Sequence, residues 1–226
     1  MNLYISSLYR GVYNIYNRFI KTPYKLRSLF KGADIKLPLI LDTRFVKLEK
    51  FTRLHPDVKI ISAGAPVVIK KYSAIAYGCI IIPGTHVPTV GIPQFLSTLH
   101  INDKESGIII NEDCWVGAES ALLSGCEIGR GSVVGARCVV TKKYPPYAVL
   151  AGVPAKIIAT RFSLEEVIQH EKLLYPESER LDLDYLKKLY ENDYKGLRSI
   201  GTDNISTEDL IRMNEAKRTL GIKVFE

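Results

Sequence analysis

Four histidines are the side chains of this chain whose ordinary titration range covers neutral pH, and they are His55, His86, His100 and His170. A histidine that is held against a hydroxyl or an amine can remove its proton and so act as a general base. His86 ends the segment Pro-Gly-Thr-His, and His100 lies in the segment Ser-Thr-Leu-His-Ile-Asn-Asp. We take His86 and His100 as the candidate bases and interpret His55 and His170 as structural or exposed residues.

The four cysteines form no CxxC pair and no short disulfide-like framework, which indicates a reducing compartment. Cys114, Cys126 and Cys138 recur with a regular spacing of twelve residues. We interpret these three as small buried residues rather than as metal ligands. No metal is expected.

An aliphatic residue at every sixth position indicates the structural elements that would position these side chains. The aliphatic positions are Ile110, Val116, Leu122, Ile128, Val134 and Val140. A small residue follows each of the first five by four places, at Cys114, Ser120, Cys126, Ser132 and Cys138. Neither a helix nor an alternating strand has this period, which is the hexapeptide repeat of a β-helix. The same spacing occurs upstream at Ile69, Ile75, Ile81 and Val87.

Three segments resemble a known family: Cys-Trp-Val-Gly-Ala at 114–118, Val-Val-Thr-Lys at 139–142, and the stretch from Pro145 to Ile158. They are similar to the hexapeptide-repeat acyltransferases, and most similar to the polysaccharide and xenobiotic O-acetyltransferase branch. The resemblance covers roughly residues 60–162. It implies a mainly β fold, a left-handed parallel β-helix, with an N-terminal helical segment and C-terminal α-helices.

Three regions are predicted. Residues 1–44 form an N-terminal amphipathic helical segment, residues 45–160 form the β-helix with a loop at 87–109, and residues 161–226 form a helical extension. The loop is placed where the six-residue register is lost, in a stretch rich in Pro, Gly and polar residues. Ser163-Leu-Glu-Glu is a capping-box signature for a helix that ends near Leu174. Further helices are predicted from Asp184 to about Glu191 and from Ser206 to Gly221.

The resemblance implies that an acetyl group passes directly from acetyl-CoA, as co-substrate, to an acceptor hydroxyl or amine. His86 matches the catalytic position best because it stands immediately before the loop. His100 is the alternative, since Lys-Glu-Ser-Gly at 104–107 resembles the segment that follows the catalytic histidine in some maltose and galactoside acetyltransferases. The positions that match the family's cofactor groove are Trp115, Ala118, Ala136, Thr141 and Lys142.

The favoured function is O-acetylation of a sugar hydroxyl, in a precursor of a bacterial surface polysaccharide. The alternatives are N-acetylation of an amino sugar or antibiotic amine, and a non-catalytic β-helix scaffold. A carbonic anhydrase on this fold would need three histidines on zinc, and His86 and His100 lack that family's paired spacing.

The resemblance implies a homotrimer, because the family's cofactor groove is shared between subunits. Residues 1–33 hold six basic residues and no acid, while the whole chain has a net charge of +7. The remainder is therefore near neutral, which argues against nucleic-acid binding. The basic, tyrosine-rich segment 1–31 suits contact with an anionic membrane surface. We expect a cytoplasmic protein, with peripheral contact at the inner membrane face as an option.

Overall fold

The structure is a computed structural model, and it describes residues 30–62 and 64–222. These residues form two compact units. The first contains the described residues up to Pro146 together with Leu150–Lys156, and the second contains Tyr147–Val149 together with the described residues from Ile157 onward. The predicted membrane contact of residues 1–31 lies, except for its last two residues, outside the described residues.

Short strands, most of them parallel to their neighbours, build the first unit, and the last two strands of the chain extend into the second unit. In chain order, the strands are β1 Asp34–Ile35, β2 Ile40–Leu41, β3 Val46–Leu48, β4 Arg53–Leu54, β5 Lys59–Ile60, β6 Val67–Ile69, β7 Ala74–Ile75, β8 Ile80–Ile82, β9 Gly84–Thr85, β10 Lys104–Glu105, β11 Ile108–Ile110, β12 Trp115–Val116, β13 Ala121–Leu123, β14 Glu127–Ile128, β15 Val133–Val134, β16 Val139–Val140, β17 Lys143–Tyr144, β18 Ala148–Ala151 and β19 Lys156–Thr160.

The strands stack on three faces. Face A contains β1, β4, β7, β12 and β15; face B contains β2, β5, β8, β13 and β16; face C contains β3, β6, β11, β14 and β17. The chain visits the faces in the order A, B, C and then returns to A one level along. Neighbouring levels pair in parallel register, as Trp115 does with Ala74 on one side and with Val133 on the other. The predicted parallel β-helix is therefore confirmed.

The aliphatic residue of each repeat points into the prism. Ile110, Val116, Leu122 and Ile128 have no exposed surface. Each level buries its inward residues only against the levels above and below, so the coils stabilise one another rather than folding singly.

The small residue of each repeat binds the backbone of the adjacent level. Ser73 Oγ donates to the carbonyl of Asn111 at 2.6 Å and accepts from the N–H of Cys114 at 3.1 Å. Ser120 Oγ donates in the same way to the carbonyl of Gly135 at 2.9 Å. All four cysteines are buried, and burial raises the pKa of the Cys126 thiol to about 12. The Cys126 thiol therefore stays protonated, and all four cysteines act as small core residues.

Two predicted boundaries are corrected by the strands. The predicted β-helix begins at residue 45, but β1 already pairs with β4, and β2 pairs with β5. The first level is irregular in sequence, so its strands escape a six-residue pattern and are specified by pairing with the level above. The predicted loop spans 87–109, but β11 begins at Ile108 and pairs with β6 there.

The second unit contains three α-helices, α1 Leu164–Leu174, α2 Leu183–Asn192 and α3 Thr207–Leu220, and a short 3₁₀ helix at Glu177–Glu179. The capping box predicted at Ser163 and Glu166 is present. Gly221 ends α3 in the left-handed conformation, as expected for a glycine C-cap. His170 packs against the ring of Phe162, with 5.1 Å between ring centroids. Within the described residues, no helix has both the length and the apolar character needed to cross a membrane.

A partly buried ion-pair cluster joins three levels of the β-helix. Glu112 contacts Lys70 Nζ at 3.3 Å and Arg130 Nε at 3.2 Å, and the Glu112 and Arg130 side chains are only 13% and 11% exposed. Partial burial raises the pKa of Glu112, but its own backbone N–H and the charges of Arg130 and Lys70 outweigh this. The net pKa of Glu112 therefore lies below its ordinary value of 4.5.

Glu112→Gln is expected to lower the thermal unfolding midpoint at pH 7, by an amount that shrinks as the pH falls. A carboxyl with a lowered folded pKa stabilises the fold above its unfolded pKa, and this contribution disappears as the pH falls through the folded pKa. The difference from wild type should therefore be full above about pH 5 and smaller below pH 4.5. Midpoints measured by circular dichroism from pH 3 to pH 7 check this.

Glu119→Gln is the matched control, because Glu119 pairs with Arg137 in the same unit but their side chains are 47% and 80% exposed. An exposed pair contributes only about 0–1 kcal/mol. A pH-independent difference for Glu112→Gln, or an equal effect of Glu119→Gln, would contradict the prediction.

Candidate active site

An excursion from the β-helix, defined as the residues from Pro83 to Gly107, leaves face B after β8 and returns to face C at β11. Its two ends are joined by an antiparallel pair, in which Thr85 of β9 lies opposite Lys104 of β10. A 3₁₀ helix at Gln94–Leu99 forms its far part. Ser124 of the next level holds the start of the excursion, because its Oγ donates to the carbonyl of Pro83 at 2.7 Å.

The excursion brings both candidate histidines to one carboxylate. His86 Nδ1 and His100 Nδ1 each lie 2.8 Å from Oδ2 of Asp103. The two imidazole rings are 5.4 Å apart between centroids. Both histidine side chains are about half exposed, whereas the side chain of Asp103 is 12% exposed. His86 and His100 therefore lie close together in the structure, although their spacing in the sequence is not that of paired metal ligands.

The pKa of Asp103 is lowered, chiefly by the hydrogen bond from His100. Partial burial acts in the opposite direction, and the charge and hydrogen bond of His86 add to the lowering. An ionised carboxylate only accepts hydrogen bonds, so each ring carries its proton on Nδ1. Nε2 is then the ring nitrogen that can accept a proton, in both His86 and His100.

Two residues beside Asp103 hold an uncommon backbone conformation. His100 has φ 52° and Asn102 has φ 59°, both in the left-handed region. Such conformations cost about 1–3 kcal/mol and persist only where the surroundings enforce them. Asn102 is fixed by the hydrogen bond that its Nδ2 donates to Thr89 Oγ1 at 3.1 Å. This bond ties the two limbs of the excursion together next to the carboxylate.

A small pocket opens inside the excursion, and His86 and Asp103 are part of its wall. Thr89, Gln94 and Ser97 supply polar groups to the lining. The apolar lining residues are Val87, Ile92, Pro93, Leu96 and Ile101. His100 does not contribute to this lining, so the two histidines differ in their relation to the pocket although they share a carboxylate.

The residues predicted for the cofactor separate into two groups. Trp115 lies on β12 of face A, is 45% exposed and stands edge-on to His55 at 6.4 Å between ring centroids. Ala118 and Ala136 lie at the corner between faces A and B, on adjacent levels, where the carbonyl of Ala118 accepts from the N–H of Arg137 at 2.9 Å.

Thr141 and Lys142 form the second group, at the corner between faces B and C. This is the corner from which the excursion with His86 departs. Both residues are exposed, and Lys142 Nζ lies 5.5 Å from the centre of the Tyr144 ring. One chain therefore presents the two predicted groups on opposite sides of face B.

Asp103 and Asn102 are the site residues that sequence reasoning missed. Both lie in the part of the chain where the six-residue register is lost. The available signal was the spacing of His100 and Asp103, three residues apart in a polar stretch that contains no periodic apolar residue.

Comparison with known proteins supports the repeat and the fold. Residues 107–142 match the family model described as bacterial transferase hexapeptide (six repeats). The chain is 43% identical over 75 residues to a chloramphenicol acetyltransferase of Klebsiella aerogenes, which is 33% of this chain and 36% of the relative. It is also 43% identical over 69 residues to a 2,3,4,5-tetrahydropyridine-2,6-dicarboxylate N-acetyltransferase of Staphylococcus aureus, covering 30% of this chain and 29% of the relative. The chain thus spans about a third of the length of the curated relatives it matches.

Two solved structures share the fold. A maltose O-acetyltransferase from Clostridium difficile superposes with a TM-score of 0.56 and 23% identity, covering 64% of this chain and 77% of that one. A hexapeptide-repeat acetyltransferase from Vibrio cholerae, solved with acetyl-coenzyme A, superposes with a TM-score of 0.55 and 22% identity, covering 68% and 85%. Together with the confirmed six-residue coils, these matches show the left-handed parallel β-helix fold and a repeat segment that is similar to the hexapeptide-repeat transferases.

Proposed function

We propose that this protein transfers the acetyl group of acetyl-CoA to a hydroxyl of a sugar, in a precursor of a bacterial surface polysaccharide, with His86 as the general base. The observation that carries the proposal is the hydrogen bond between His86 Nδ1 and the ionised Asp103, in the wall of the pocket. This bond orients the imidazole and directs its proton-accepting nitrogen, Nε2, away from the carboxylate.

The reaction follows from that arrangement in two steps. Nε2 of His86 accepts the proton of the acceptor hydroxyl as its oxygen attacks the thioester carbonyl carbon, and Asp103 stabilises the resulting imidazolium. When the tetrahedral intermediate collapses, the carbon–sulfur bond breaks, and the coenzyme A sulfur takes the proton back from Nε2. The products are the acetyl ester and free coenzyme A. No covalent bond to the enzyme forms.

His86 is preferred to His100 because His86 lines the pocket and follows β9 directly, where backbone pairing fixes it. His100 stands at the end of the 3₁₀ helix and, in this proposal, helps to hold the carboxylate of Asp103.

The two separated groups of cofactor residues support a site shared between copies of the chain. A coenzyme A molecule that lies between two copies would meet Trp115, Ala118 and Ala136 from one and Thr141 and Lys142 from the other. The proposed assembly is a homotrimer, and the contact of segment 1–31 with a membrane surface stays a prediction.

An amine acceptor is the second candidate function. The relative from Staphylococcus aureus is named as an N-acetyltransferase, whereas the neighbour from Clostridium difficile is named as an O-acetyltransferase. The same base serves both reactions, because His86 would take a proton from an attacking amine as readily as from a hydroxyl.

The test is release of free thiol from acetyl-CoA with matched sugars and amino sugars, for example glucose with glucosamine and galactose with galactosamine. We expect thiol release that requires an acceptor, and an ester product that mild alkali cleaves. An alkali-stable amide would favour the amine acceptor. Failure of the protein to bind coenzyme A in calorimetry would contradict the proposal and favour a non-catalytic scaffold.

A further inference from the structure

We propose that His86, His100 and Asp103 bind a divalent transition-metal ion of the zinc class, and that this ion switches the base off. The ion is an inhibitor of the reaction rather than its cofactor. The metal site stands on the geometry alone, whereas its effect on acetyl transfer rests on the proposed function.

The three side chains converge closely enough to hold one ion. One ligand atom from each of His86, His100 and Asp103 lies within 4.8 Å of the other two. Bonds of about 2.0–2.2 Å in a tetrahedral site place ligand atoms about 3.3–3.5 Å apart. Each Nδ1 is now 2.8 Å from Oδ2, so the ion needs each ring to move outward by about half an ångström. Both imidazoles are half exposed, which leaves room for that movement.

The ligand types select the class of metal. Two imidazole nitrogens and one carboxylate oxygen suit zinc, copper and nickel, whereas magnesium and calcium prefer oxygen ligands only. Three protein ligands leave a coordination position open to water.

The hydrogen bonds that make Nε2 a base are the ones that the ion replaces. In the metal-free state each Nδ1 donates its proton to Asp103, and Nε2 carries the lone pair. An ion on Nδ1 needs the lone pair there, so in a neutral ring the proton moves from Nδ1 to Nε2. His86 can then no longer accept a proton from an acceptor. Metal binding and general-base catalysis therefore exclude each other at this site.

The experiment uses full-length protein without a histidine tag, freed of metal with a chelator and titrated with Zn²⁺ in a calorimeter. We expect one ion per chain, and affinity lowered more than about tenfold in each of His86→Ala, His100→Ala and Asp103→Ala. His55→Ala is the matched control, because it removes a histidine of the same unit that lies outside the cluster. Equal affinity of all four variants, or no saturable binding, would overturn the site.

The switch has its own readout. Imidazole ¹⁵N spectra should show the proton of His86 on Nδ1 in the metal-free protein and on Nε2 with Zn²⁺ bound. An unchanged tautomer at saturating Zn²⁺ would overturn the switch. Neither readout needs acetyl transfer, so a failed metal site and a failed proposed function are distinguished. In the activity assay, Zn²⁺ should inhibit reversibly, and the rate that remains in His100→Ala should need at least about tenfold more Zn²⁺ for half inhibition.

Discussion

Replacing His86 with alanine is expected to lower the rate of acetyl transfer by about 10²–10⁴-fold, the usual contribution of a positioned general base. Without Nε2 of His86, the acceptor hydroxyl must attack the thioester while it still holds its proton. The loss should appear in kcat with little change in the KM for acetyl-CoA, because His86 is not one of the residues proposed to bind the cofactor. Thiol release at saturating acetyl-CoA, with the best acceptor of the sugar panel, measures it.

His100→Ala is the matched control within the same cluster. His100 and His86 bind the same oxygen of Asp103 at the same distance, and their side chains are 52% and 51% exposed. Each substitution therefore removes one hydrogen bond to Asp103, and the two differ in that His86 lines the pocket whereas His100 does not. We expect His100→Ala to lose less than about tenfold. The reverse order of the two variants, at equal thermal midpoints, would assign the base to His100.

The regular part of this fold could be predicted because one physical requirement repeats. Each side of a coil needs one inward aliphatic residue and one small residue at the turn. The buried positions of Ile128 and Ser132 can therefore be predicted from the six-residue spacing alone. The capped helices were predictable for a similar reason. Ser163 and Glu166 form a local hydrogen-bonded motif that needs no distant partner.

The site was less predictable because it depends on contacts between distant residues. Asp103 meets His86 across seventeen residues, and the meeting requires the pairing of Thr85 with Lys104 and the bond from Asn102 to Thr89. None of these contacts leaves a period in the sequence. The first level of the β-helix was missed for the same reason, since β1 and β2 are specified by pairing with the next level.

Gly129→Ala is expected to destabilise the β-helix by about 3 kcal/mol, at the upper end of the usual cost of overpacking. Gly129 follows the inward residue Ile128, and a methyl group added there would overlap the peptide between Pro145 and Pro146. The obstacle is backbone of the adjacent level, which no side-chain rotation can relieve. For a chain of this size, the expected fall in the thermal midpoint is about 6–12 °C.

Gly135→Ala is the control, because Gly135 occupies the same position of its repeat, after Val134. A methyl group there would stand 3.1 Å from the carbonyl oxygen of Leu150, a contact that a shift of a few tenths of an ångström relieves. Gly117→Ala should resemble Gly129→Ala, since its methyl group would stand 2.6 Å from the backbone nitrogen of Ala136. The same glycine position of the repeat therefore tolerates a methyl group to different degrees, depending on how closely the backbone of the next level approaches it. Equal thermal midpoints for Gly129→Ala and Gly135→Ala would show that the levels of the β-helix adjust freely. That result would contradict the close stacking of levels that fixes the two ends of the excursion.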